Sequence, residues 1–208
     1  MTEIVGIMDY GTAGNIYNVE KGLVAAGARV EILHRAEDLE GVDRIVFPGV
    51  GSFRGAMDSL SSLRETLVAE VRRKPTLGIC LGMQILATVG FEFGETLGLG
   101  LIDAEVKKIE AKGKVPHLGW GRLEVVRDSP LLSGITEKDL FYFMHSYEMV
   151  NYTDVVALTD YCNHKFVSVV QQGHICGVQF HPEKSHRYGM ELLRNFATGR
   201  AGRMAEAA

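Results

Sequence analysis

The sequence predicts an α/β protein with an open, mostly parallel sheet flanked by helices and carrying an antiparallel extension. Three observations carry that expectation. Short unbroken apolar runs, IVGIM at Ile4–Met8, RIVF at Arg44–Phe47 and the run Leu77–Ile79, read as strands buried on both faces, as parallel strands under helices are. Segments with apolar residues at helical spacing lie between them. The second half instead brings several short strands close together, which suits a more antiparallel portion of the sheet.

In chain order, Ile4–Met8 is the first strand and stops at Asp9-Tyr10-Gly11. A helix is expected over Ile16–Ala26, where Ile16, Val19, Leu23 and Ala26 share a face, with Asn15 as N-cap and Gly27 as the residue that ends it. A strand over Arg29–Leu33 follows, then Arg44–Phe47, which ends abruptly in Pro48-Gly49-Val50-Gly51. A helical region is expected over about 55–73, with Leu60, Leu63, Leu67, Val68 and Val71 toward the sheet. The strand Leu77–Ile79 leads into a Gly-x-Cys-x-Gly turn of Gly78, Cys80 and Gly82, and a helix is expected from there through Gln84 to about Thr88. Gly90–Gly100 is glycine-rich, and the antiparallel portion begins near Ala104–Ile109. Leu140–Met144 reads as a buried strand with His145-Ser146-Tyr147 at its end. Strands at Val155–Leu158, Phe166–Val170 and Ile175–Phe180 complete the sheet, the last two joined by a tight turn at Gln171–His174. A final helix, Gly189–Phe196, covers the sheet, and a frayed tail is expected from about residue 199 to 208.

Composition excludes several classes. With 208 residues, one well-buried domain spanning the chain is the expected organisation. A net charge of −4 and the absence of a basic cluster argue against a nucleic-acid binder or an anionic-membrane binder. No apolar run approaches membrane-spanning length, and the start MTEIVG has no signal-peptide character. The three cysteines, Cys80, Cys162 and Cys176, form no Cys-x-x-Cys pair, which points to a reducing, cytoplasmic setting. Neither they nor the histidines show metal-ligand spacing, so no metal or cofactor is expected.

The chemistry concentrates at strand ends. Cys80 stands at the tip of a sharp strand-to-helix turn, the thiol counterpart of the Gly-x-Ser-x-Gly nucleophile elbow. A helix starting directly after it offers N–H groups and a positive dipole end, which favour the thiolate. On the turn alone, a buried structural thiol is the competing reading. Gly49 and Gly51 allow the PGVG loop to aim N–H groups at a ligand, although alone it reads as an ordinary strand-exit turn. In open α/β sheets, ligand sites gather outside the carboxyl ends of strands, where both segments emerge. The last strand ends in Gln179-Phe180-His181-Pro182-Glu183-Lys184-Ser185, and Pro182 fixes the backbone so that His181 and Glu183 can be held together. A cysteine nucleophile needs a base, and the base needs a partner that sets its tautomer. Cys80, His181 and Glu183 supply those three residue types.

PGVGSF, GICLGMQ and QFHPEKS, in this order and at these separations, resemble the class I, or triad, glutamine amidotransferases. Together with DYG...GN, PHLGW and FMHSY, they resemble within that group the glutaminase subunits of imidazole glycerol phosphate synthases, over about residues 4–196. The resemblance implies that Cys80 attacks the side-chain amide of glutamine to form a thioester, with His181 as base and Glu183 as its orienting carboxylate. It implies Leu81 and the loop Gly49, Val50 and Gly51 as oxyanion donors, and Gln84 with the backbone of His145, Ser146 and Tyr147 as substrate contacts. It further implies a heterodimer with a (β/α)₈ cyclase subunit that receives ammonia through a channel, makes imidazole glycerol phosphate and an aminoimidazole carboxamide ribotide, and activates the glutaminase when loaded. Trp120 and Lys184 are the interface residues so implied, although alone they read as a packing residue and a solvated lysine. An alternative within the same chemistry is a glutaminase that feeds another acceptor, such as an aminated sugar. The chain departs from the family pattern in two places: the segment Gly11-Thr12-Ala13-Gly14-Asn15 is one residue longer, and Gly121 stands where the family has Asn.

Overall fold

Parallel strands bury backbone and side chains on both faces, so their residues must be apolar throughout, and the runs expected as strands do form one sheet. The computed structural model describes residues 3–11, 13–150 and 152–199. Its elements run β1 (Ile4–Met8), α1 (Ala13–Ala25), β2 (Arg29–Leu33), β3 (Arg44–Phe47), α2 (Phe53–Leu60), α3 (Arg64–Val71), β4 (Thr76–Ile79) and α4 (Leu81–Gln84). The second half adds β5 (Ala87–Gly90), β6 (Thr96–Leu97), β7 (Ile102–Lys108), β8 (His117–Arg122), β9 (Glu124–Val125), β10 (Leu140–His145), β11 (Tyr147–Val150), β12 (Val155–Tyr161), β13 (His164–Gln172), β14 (Ile175–Val178) and α5 (His186–Ala197).

The main sheet has the order β2-β1-β3-β4-β14-β13-β12-β9. From β2 to β14 the pairings are parallel, and from β14 to β9 they are antiparallel, so the expected parallel sheet with an antiparallel extension is what forms. Every residue of β3, β4 and β14 is buried. One face is covered by α1 and α5, whose Val19, Leu23, Leu192, Leu193 and Phe196 pack with β1, β4 and β14. Full burial of each such side chain contributes on the order of 2 kcal/mol, enough together to seat α5 firmly. The other face is covered by α2 and α3 with a second small sheet, ordered β11-β7-β5-β6. A two-stranded ribbon, β8 with β10, stands beside the main sheet.

Several expectations need correction. The helix expected from Cys80 to about Thr88 is a single turn of four residues, because Ala87–Gly90 is drawn off as β5 to pair with β7. Asn15 lies inside α1 rather than capping it, since the helix already begins at Ala13. The helical region expected over 55–73 begins at Phe53 and is broken into α2, a 3₁₀ turn at Ser61–Leu63 and α3. Ser52 is its N-cap, accepting from Gly55 N at 3.2 Å. β7 runs parallel to β5 and antiparallel to β11, and β11 itself carried no clear apolar alternation. Of the tail expected to fray, residues 200–208 lie outside the described residues, as does Thr12 of the lengthened loop.

Candidate active site

β1, β3, β4 and β14 are neighbours in the sheet, and the chain leaves the carboxyl end of each into one small volume. The backbone there is tightly determined. Cys80 takes φ 51° and ψ −105°, a conformation that non-glycine residues rarely adopt and that turns the side chain clear of the strand. Glycine is required on both sides. A Cβ on Gly78 would lie 2.5 Å from Gly82 O, and one on Gly82 would lie 2.0 Å from Phe47 O. The same holds for the neighbouring loop, where a Cβ on Gly49 would lie 1.7 Å from Ile79 O and 2.8 Å from Leu81 N. PGVG is therefore pressed directly against the elbow.

The HPE segment forms a 3₁₀ turn, Pro182–Lys184, locked from both sides. His181 N donates to Tyr142 O at 2.8 Å, Ser185 Oγ donates to His181 O at 2.6 Å, and Tyr142 N donates to Ser185 Oγ at 2.9 Å. Within the turn His181 Nδ1 and Glu183 Oε1 are 2.8 Å apart, with both side chains fully buried. That bond commits Nδ1, and Nε2 is left buried without a hydrogen-bond partner among the described residues. Burial disfavours the charged imidazole, but the Cys80 sulfur and then Glu183 outweigh it and lift His181 to about 10. An imidazolium beside the sulfur is the arrangement this favours, and α4, only one turn long, offers little of the helix dipole expected there.

A cavity of about 280 Å³ opens at the sulfur, lined by Gly49, Val50, Gly51, Cys80, Leu81, Gln84, Glu92, Pro116, Met144, His145, Ser146 and Tyr147. The residues named from the sequence for substrate and oxyanion thus meet in one place. Gln84 enters differently from expectation: its Nε2 donates to Tyr147 O at 2.9 Å and to Gln179 Oε1 at 3.1 Å, so its amide nitrogen is spent inside the protein. The His145 ring is also engaged inside the protein, with Nδ1 2.9 Å from Tyr147 O and Nε2 3.3 Å from His117 Nδ1. Burial depresses this histidine pair, His117 to about 4 and His145 to about 3. Trp120 and Lys184 lie away from the cavity. Trp120 is half-exposed and stacked on His186 at 5.1 Å, beside exposed Leu118 and Leu140, and Lys184 Nζ lies 5.9 Å from the Tyr142 ring.

Three site residues escaped the sequence reading. Asn15, with its amide nitrogen toward Glu183, donates to Oε1 at 2.9 Å while its oxygen accepts from Gly49 N at 3.3 Å. It ties the Glu183 carboxylate to the PGVG loop. Glu92 brings the only side-chain carboxylate among the cavity-lining residues, held where it accepts from Phe53 N at 2.7 Å. Gln179 is fully buried and donates from Nε2 to Cys80 Sγ at 3.4 Å. The DYG...GN and QFHPE segments were visible in the sequence, but nothing local in them says that these amides meet the triad.

A cysteine on a strained elbow, near a histidine bonded to a buried glutamate, has the residue set that thiol acyl transfer uses, on a doubly covered α/β sheet. The description "Glutamine amidotransferase class-I" matches residues 7–199, and the chain belongs to that family. Solved structures with this fold include a glutamine amidotransferase of Thermotoga maritima (TM-score 0.71, 15% identity, covering 98% of this chain and 99% of that one). PurLQS of the same organism is another (TM-score 0.73, 19% identity, covering 95% and 99%). Nearer relatives bear the name imidazole glycerol phosphate synthase subunit HisH. That of Campylobacter jejuni (strain RM1221), HisH 1, is 42% identical, covering 93% of this chain and 98% of the relative. The subunit of Methanocaldococcus jannaschii is 41% identical, also covering 93% and 98%. HisH 2 of Pseudomonas aeruginosa is 40% identical over the same shares.

Proposed function

We propose that this chain is the glutaminase subunit of an imidazole glycerol phosphate synthase, a single glutamine amidotransferase domain acting in histidine biosynthesis. The observation that carries the reading is the strained Cys80 elbow beside the buried His181–Glu183 pair, in a chain 42% identical to HisH relatives almost end to end. Cys80 Sγ attacks the amide carbon of glutamine. The tetrahedral oxyanion is met by Leu81 N and a donor of the Gly49-Val50-Gly51 loop, each contributing on the order of 3 kcal/mol. His181 Nε2, the ring nitrogen without a hydrogen-bond partner among the described residues, gives its proton to the departing ammonia and then draws one from the water that cleaves the thioester. Glu183 holds the ring in the tautomer this requires.

The amino-acid end of glutamine carries one positive and one negative charge. Glu92 supplies a carboxylate of the right sign for the ammonium, while the Gln84 carbonyl oxygen and the backbone of His145–Tyr147 complete the pocket. Ammonia passes to a (β/α)₈ cyclase bound as a heterodimer in the cytoplasm, and the half-exposed face of Leu118, Trp120 and Leu140 near Lys184 suits that partner. Among the described residues no helix is long and apolar enough to cross a membrane. The test is glutamate release by the purified chain with and without the cyclase and its ribotide ligand. Activity that rises on adding both, and that disappears in Cys80→Ala with unfolding temperature retained, is expected. Glutaminase activity surviving in Cys80→Ala sinks the catalytic assignment, and indifference to the cyclase favours another acceptor, such as the aminated-sugar alternative.

A further inference from the structure

Gln179 occupies a fully buried position two residues before His181, and its backbone N–H is tied into the sheet by a 2.9 Å bond to Ser168 O. A buried primary amide needs partners at both ends. Here the partners form a directed chain. Gln84 Nε2 gives one hydrogen to Tyr147 O at 2.9 Å and the other to Gln179 Oε1 at 3.1 Å. A nitrogen can only donate, so Gln84 forces the oxygen of Gln179 toward itself, and the Gln179 nitrogen toward Cys80 Sγ, 3.4 Å away. Cys80 N donates across to Val178 O, the residue before Gln179, at 2.7 Å, so the sulfur and the amide are fixed to paired backbone.

We propose that Gln179 is a catalytic residue of this site, whose side-chain N–H donates to the Cys80 sulfur and stabilises it as the thiolate in its attacking position. A neutral thiol is a weak acceptor, whereas an ionised sulfur is a strong one, so the same N–H bond favours the charged form. The proton that leaves the thiol goes to His181 Nε2, and Gln179 exchanges nothing. Gln84 thereby has a second task beyond the pocket: it sets which end of Gln179 faces the nucleophile. The one-turn α4 contributes little dipole, so side-chain donation supplies what a longer helix would have given. The inference rests on Cys80 being the nucleophile proposed above.

The experiment follows the pH dependence of Cys80 alkylation by iodoacetamide in the full chain, with Cys162→Ser in every sample because Cys162 is exposed. Glutaminase kinetics with cyclase and ribotide accompany it. Gln179→Met, similar in volume and without a donor, raises the alkylation midpoint by about one pH unit and lowers kcat about tenfold, with KM changed less than about twofold. Gln179→Glu raises the midpoint further, because a carboxylate then faces the sulfur. If Gln179→Met does not fold, Gln84→Leu carries the test, since the freed Gln179 amide can turn and the midpoint again rises. Midpoints that coincide with the parent chain overturn the inference while parental glutamate release still supports the glutaminase reading. A parent chain that releases no glutamate even with loaded cyclase sinks that reading instead, and the midpoints still report on Gln179 and Cys80.

Discussion

Acidification from about pH 6.5 to about pH 5 should weaken the fold through two buried rings behind the active site. His117 and His145 are 3% and 5% exposed, joined to each other at 3.3 Å, and His117 is stacked on Tyr161 at 4.0 Å. Burial holds them at about 4 and about 3, against about 6.5 for an unfolded imidazole. For groups depressed in the folded state, the unfolded chain binds more protons between the two values, so stability rises with pH and is lost as pH falls below about 6.5. Integrating over that window gives about 1.7 kcal/mol per ring and roughly 3 kcal/mol for the pair. Other groups do not reproduce the slope. His181, raised to about 10, is protonated in both states below about 6.5 and acts only above it, where stability falls as pH rises. The lowered carboxylates Asp38, Glu70 and Asp139 lose their contribution below the window, and Glu148, raised by burial, works in the opposite direction. Urea unfolding followed by the fluorescence of Trp120 at a series of pH values measures the effect. In His117→Phe, which keeps the aromatic stack, the pH slope should fall to about half, with about 1–2 kcal/mol lost at neutral pH for the broken bond. A flat wild-type curve across the window, or an unchanged slope in His117→Phe, refutes the reasoning.

Other outcomes follow from the same geometry. Gly49→Ala forces a methyl group into Ile79 O and Leu81 N, so thermal unfolding should show a loss of about 2–4 kcal/mol and glutaminase activity should fall by at least about a hundredfold. Near-parental activity would separate the PGVG loop from the oxyanion. Asn15→Asp replaces the donor to Glu183 with a second carboxylate, and kcat measured at neutral pH should drop more than about tenfold, recovering in part as pH falls and one proton is shared. A pH-independent loss would point to simple misfolding. Trp120→Ala should weaken cyclase binding by about 2 kcal/mol, or roughly thirtyfold in Kd by calorimetry, if the half-exposed Leu118, Trp120 and Leu140 face seats the partner.

Much of this protein is written locally. Continuous apolar runs can bury both faces of a strand only inside a covered parallel sheet, so β1, β3 and β4 were legible at close to their observed bounds. The glycines around Cys80 and the proline between His181 and Glu183 act on their own backbone, and their consequences could be drawn from neighbouring residues alone. Element ends that depend on distant partners were not legible. The helix after Cys80 stops after one turn because β7 recruits Ala87–Gly90, a contact that no local propensity contains. The same holds for the finer site. Asn15 and Gln179 matter because β1, β3, β4 and β14 lie side by side in the main sheet, and Glu92, which follows β5 of the second sheet, because Phe53 N holds its carboxylate at the cavity; both depend on long-range pairing. The sequence by itself determined a thiol on a sharp turn and a histidine bonded to its carboxylate. Only the tertiary structure decided which buried amides face them, because hydrogen-bond direction inside a core depends on every partner in the chain of donors at once.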